Sequence, residues 1–257
     1  MEILGYSERG VINALFYDIS NSYKHKPKLI SDLLNKTIFI HKKEKFNISE
    51  CTILIEQSFS DFGDSDVLLL IENQGEKQAV FLEAKVKTYS RKKWCLDQEF
   101  DKFLNPKGKL PSTHNEIPTS NLFTQLYFKN RLWDELKNNN GKNLKKGITF
   151  INTTKSPRKI GTNEIVLGAK ERLSEHLVNS FYFGIVPDSQ NDINNFIKKR
   201  FKNKPKRKPV LTGWKDDNWG FLAWEDIEDY CKKNSLNNTC EVFDFNFNEN
   251  KNKGQIY

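Results

Sequence analysis

The chain has 257 residues and a mass of 30.1 kDa, with 37% hydrophobic residues, 29% charged residues, 19 Phe and 5 Trp. That composition excludes a chain too polar to build a core, and no apolar run approaches the roughly 20 residues that cross a bilayer. Lys and Arg outnumber Asp and Glu by 41 to 33, a formal charge of +8 that favours encounter with a polyanion without fixing any chemistry.

Ser7 is the predicted cap of a helix over 8–21, in which Val11, Ile12, Leu15 and Ile19 recur at helical spacing. Pro27 opens a second amphipathic segment with Ile30, Leu33 and Leu34 on one side. Residues 51–56 read as a strand, and 61–66 form a turn-rich acidic loop. An apolar strand over 67–71, a tight turn at 73–76 and a second strand over 79–87 make a β-hairpin. Beyond it come a short helix over 93–103, a loop over 111–118 and a long helix over 120–138. Leu122, Leu126, Leu132 and Leu136 are the long helix's interior-facing candidates. A strand over 147–152, a helix over 164–177, a strand over 181–186 and a helix over 191–201 follow. A basic segment (198–208), a corner from strand to helix at 220–227 and a polar end complete the chain. Interspersed strands and helices predict an α/β fold. The whole chain reads as one domain, with its core motifs in 7–87 and a candidate C-terminal subdomain from about 147.

Cys51, Cys95, Cys231 and Cys240 are too scattered for a zinc knuckle or a redox pair, and are expected to be thiols in the reducing cytoplasm. His25, His41, His114 and His176 form no metal-ligating spacing. The segment Met1 to Tyr6 lacks the basic and then apolar pattern of a secretory leader.

The chemistry concentrates on the hairpin. Alternation along its second strand puts Phe81, Glu83 and Lys85 on one side and Val80, Leu82, Ala84 and Val86 on the other. A carboxylate and an ammonium in an apolar strand cost desolvation energy. The partner strand starts after Asp66, which the hairpin brings near Glu83. Two carboxylates suit a hard cation such as Mg²⁺, with the Ala84 backbone carbonyl as a further ligand. Such an ion polarises a phosphate, and Lys85 offsets charge or orients the attacking water. The alternative is a salt-bridge row on a solvent-facing edge, but Phe81 shares that face. Asp64 is an alternative metal ligand to Asp66.

Asp66, sixteen intervening residues and then Glu83-Ala84-Lys85 resemble the PD-(D/E)xK nuclease superfamily. The likeness covers roughly 7–87, about a third of the chain. It implies a restriction-endonuclease-like fold, a mixed sheet flanked by helices. It further implies metal-dependent hydrolysis of DNA, with Mg²⁺ as cofactor and Mn²⁺ able to substitute. Asp66, Glu83 and Lys85 take the family's three roles, and Glu8 matches the glutamate that many members carry on the preceding helix. Ser65 stands where the family often has proline. Gln125 matches a glutamine found on a later helix, with Gln98 a weaker candidate, although Lys129 stands where a tyrosine is usual. The resemblance suggests an endonuclease of restriction or anti-phage defence, and a homodimer. The alternatives are a catalytically silent nucleic-acid-binding or scaffold protein of the same fold, and an RNA-directed nuclease.

Two basic runs are candidate phosphate contacts: Arg91, Lys92 and Lys93, and Lys206, Arg207 and Lys208. The first run also reads as a solvated helix start, and the second as a disordered arm or a run without a role. Asn115, Ser120, Asn121 and Gln125 either read bases or cap and decorate a helix. Trp214, Trp219 and Trp224 are expected to pack the last helix onto the core rather than to stack bases.

Overall fold

A computed structural model describes residues 7–22, 25–41, 43–86, 94–104, 120–139, 142, 148–150, 158–160, 164–202 and 215–245. A six-stranded mixed sheet lies at its centre. In chain order its strands are β1 (Ile38–Phe39), β2 (Ile48–Gln57), β3 (Ser65–Asn73), β4 (Glu76–Ala84), β7 (Asn179–Val186) and β8 (Trp219–Ala223). Across the sheet the order is β1-β8-β7-β4-β3-β2. The β2-β3-β4 meander is antiparallel, β4-β7-β8 run parallel, and β1 closes the edge antiparallel to β8. Two short strands, β5 (Ile148–Phe150) and β6 (Arg158–Ile160), pair separately, so the strand expected at 147–152 is no part of the main sheet.

Helices cover both faces. Helices α1 (Ser7–Asn21), α2 (Lys26–Leu34), α7 (Trp224–Lys233) and α8 (Asn237–Asp244) supply core residues to one face. Helices α3 (Leu96–Leu104), α4 (Leu122–Asn139), α5 (Glu164–Leu173) and α6 (Gln190–Ile197) supply the other. The α/β class and the mixed sheet flanked by helices follow the expectation from sequence. Because both faces are covered, the central strands are apolar at nearly every position rather than alternating. Val67, Leu69, Ile71, Val80, Leu82 and Ala84 pack toward α1 and α2, whereas Leu68, Leu70, Ala79 and Phe81 pack toward α4. The β3-β4 turn has positive φ at Gln74 (54°) and Gly75 (82°), the two-residue geometry that matches strand twist.

Asp18 ties α1 to α8. Its Oδ2 accepts from Thr239 N (2.9 Å) and Thr239 Oγ1 (2.8 Å) at the start of α8. β1, β6 and α8 are not among the elements predicted from sequence. His176, expected on a helix, sits in a 3₁₀ turn after α5. Trp219 packs on Phe123 of α4 and Trp224 on Phe243 of α8, both in the core as expected, while Trp214 lies outside the described residues. Among the described residues, no helix is long and apolar enough to cross a membrane.

Candidate functional site

The site forms where the hairpin opens. The β3-β4 ladder is regular from Asn73↔Glu76 to Val67↔Leu82 and ends there. One residue further, the Asp66 side chain replaces the missing main-chain partner: its Oδ2 accepts from Ala84 N at 2.7 Å. Ser65 Oγ also donates to Val67 O (2.9 Å) and reaches Leu82 O (3.4 Å). Ser65 thus stabilises the point where the strands part.

On its other side β4 continues in parallel register with β7, Ala84 opposite Ile185, and Lys85 N donates to Ile185 O at 2.8 Å. The next donor in that ladder would be residue 187, which is proline and has no N–H. Trp224 Nε1 donates to the Lys85 carbonyl instead, at 2.8 Å. The Glu83-Ala84-Lys85 backbone is therefore held by Asp66, by β7 and by Trp224.

Glu83 is fully buried on the α4 side, in line with Phe81 and not with Ala84. That removes the reading as a solvent-facing salt-bridge row. Its partner is Lys129 of α4, whose Nζ lies 2.9 Å from Glu83 Oε1, with both side chains at 0% exposure. The same ammonium donates to the backbone carbonyl of Asp64 at 2.7 Å. Gly63, at φ 76°, carries the loop past this ammonium, and a Cβ there would lie 3.3 Å from Nζ. Burial pushes the Glu83 carboxyl from its ordinary 4.5 up to about 7. The Lys129 charge and hydrogen bond and the Lys85 charge pull it down, and Asp66 adds to the rise.

Asp66 is half-buried and belongs to a second grouping as well: with Glu8, Arg9, Ile12 and Asn13 of α1 and Ile55 and Glu56 of β2, it lines a small cleft. Glu8 and Asp66 thus line the same cleft. Arg9 pairs with Glu56 across that cleft at 3.3 Å. Lys85 is half-buried, and its ammonium has no hydrogen-bond or ion-pair partner among the described residues. Asp64 is exposed and precedes β3; its contribution to the site is its carbonyl.

The remaining candidates separate clearly. Gln125 lies one turn before Lys129 on α4, and its Oε1 is buried with no hydrogen-bond partner among the described residues. Gln98 is exposed on α3 and joins none of these groups. Asn121 is buried and caps α4 by accepting from Thr124 N at 3.1 Å, which makes it a capping residue rather than a base reader. Asn115, Arg91, Lys92, Lys93, Lys206, Arg207 and Lys208 lie outside the described residues. Upstream of that second run, Lys199 and Arg200 are committed to the carboxylates of Asp97 and Asp101.

Lys129 is the site residue that sequence reading passed over as a mere departure from tyrosine. The signal was present: Leu122, Leu126, Lys129, Trp133 and Leu136 recur at alternating spacings of four and three on a single helix face. A lysine in that stripe must be buried.

Two of the oxygen donors that a hard divalent cation takes are present. Asp66 and Glu83 offer carboxylate oxygens, and Glu83 Oε2 is buried without a hydrogen-bond partner among the described residues. A separate group, His41, Asp216 and Asp217, brings its ligand atoms within 4.8 Å of one another between the end of β1 and the start of β8. Comparison with protein-family models, with curated proteins and with solved structures found no match.

Proposed function

We propose that the chain is a metal-dependent phosphodiesterase that cuts DNA, acting in the cytoplasm as an endonuclease of restriction or anti-phage defence. The observation that carries this reading is the hydrogen bond from Ala84 N to Asp66. It brings the second carboxylate to the Glu83-Ala84-Lys85 tripeptide at the open end of the hairpin. Asp66 and Glu83 would hold Mg²⁺ or Mn²⁺, with the Ala84 carbonyl beside them. When bound, such an ion supplies Lewis-acid polarisation of the scissile phosphate. Lys85, with no partner among the described residues, orients the attacking water and offsets charge that develops on phosphate oxygens. Glu8, which lines the same cleft as Asp66, would take the water's proton. The surplus of 41 basic over 33 acidic residues suits a polyanionic substrate.

A second reading is a catalytically silent nucleic-acid-binding protein of the same fold. It is favoured by the sealing of Glu83 under Lys129, both at 0% exposure. The two readings separate on incubation of the protein with supercoiled, linear and single-stranded DNA, and with RNA, in Mg²⁺ or Mn²⁺. Chelator-sensitive cleavage of DNA supports the nuclease. Cleavage of RNA alone replaces the substrate, and binding without cleavage on every substrate supports the silent protein.

A further inference from the structure

We propose that Lys129 is the resident cation of this site, so that the site takes one divalent ion and not two. The inference rests on the reading of Asp66 and Glu83 as metal ligands. The ammonium is enclosed by oxygens, with a carboxylate oxygen at 2.9 Å, a main-chain carbonyl at 2.7 Å and no exposure to solvent. The loop is shaped around it, because Gly63 leaves only the room that a Cβ would take, 3.3 Å from Nζ. Lys129 also reaches Glu83 from a different layer of the fold, so it is fixed by helix packing rather than by strand geometry.

Charge supports the same conclusion. Asp66 and Glu83 contribute two negative charges, and Lys85 and Lys129 contribute two positive ones. One divalent ion on Asp66 and the free Oε2 of Glu83 leaves the cluster moderately positive, as suits a phosphate. A second divalent ion would have to share the Glu83 carboxylate with an ammonium already in contact with it. At such distances like-charge repulsion outweighs what one further oxygen contributes. Lys129 is thus a positioning residue: it pairs with one oxygen of Glu83 and leaves the other, buried, without a hydrogen-bond partner among the described residues.

Mn²⁺ titration of the full chain without nucleic acid, following free Mn²⁺ by electron paramagnetic resonance, tests this. One ion per chain is expected for the native protein and for Lys129→Arg. Lys129→Gln keeps a donor for Glu83 but loses the charge. It is expected to take a second ion and to bind the first about ten-fold more tightly. Two ions on the native chain overturn the proposal whether or not the variant folds. So does a folded Lys129→Gln that binds one ion with native affinity, an outcome that leaves the nuclease reading in place. No Mn²⁺ on either protein removes Asp66 and Glu83 as ligands, and the nuclease reading falls together with this inference.

Discussion

The carboxylate of Asp66 accepts the N–H of Ala84 at 2.7 Å, so a side chain of β3 completes the edge of β4 where the ladder between them has stopped. Structure and proposed chemistry meet in that one bond, and substitutions can separate them. Asp66→Asn keeps an acceptor oxygen for Ala84 N and loses the charge. It should leave the urea midpoint nearly unchanged while abolishing Mn²⁺ binding. Asp66→Ala strands the Ala84 N–H and should cost about 1–3 kcal/mol in the same unfolding measurement.

The Glu83–Lys129 pair is buried on both sides. Removal of one member leaves an uncompensated charge in the core. Lys129→Met should therefore cost about 3–5 kcal/mol. The double substitution Glu83→Leu with Lys129→Met removes both charges and should recover most of that loss. Urea unfolding of the four proteins gives the coupling directly.

Glu83 makes stability depend on pH in the metal-free protein. Its carboxyl is raised from 4.5 to about 7, because burial disfavours the charged form. The folded chain therefore holds this proton more tightly than the unfolded one. The associated stability is fully present below about 4.5 and is lost as pH rises through about 7. Thermal melts in chelator should show the native protein losing stability across that window, relative to Glu83→Gln, whose amide does not titrate.

Trp224 supplies the donor that Pro187 lacks, at 2.8 Å from the Lys85 carbonyl. Trp224→Phe keeps most of the packing and leaves that carbonyl unpaired, at a cost of about 1–2 kcal/mol. Because Lys85 is positioned by this bond, the nuclease reading expects a lower kcat with KM little changed. An effect confined to Tm would make Trp224 purely structural.

The hairpin was legible in sequence because its signals are local: an acidic loop, two apolar runs and a Gln-Gly turn fix register within twenty residues or so. Alternation then correctly placed Glu83 with Phe81. What sequence left hidden depends on distant segments. The pairing of Glu83 with Lys129 and the donation from Trp224 to Lys85 join residues 46 and 139 positions apart in the chain. No local pattern specifies such distances, although the helical stripe around Lys129 marked it as interior. The strand at 147–152 is legible as a strand, but whether it completes the main sheet or stands apart is not, since propensity says nothing of which partner a strand finds.

The most direct test of the central claim is cleavage of supercoiled DNA by purified native protein in Mg²⁺, beside Asp66→Asn, Glu83→Gln and Lys85→Ala that have been shown to be folded. The account predicts cutting by the native chain, sensitivity to chelator, and loss of at least about a hundred-fold in each variant, with DNA binding retained in Lys85→Ala. Cutting that survives in all three variants, or a native protein that binds DNA and never cuts it in Mg²⁺ or Mn²⁺, would contradict it.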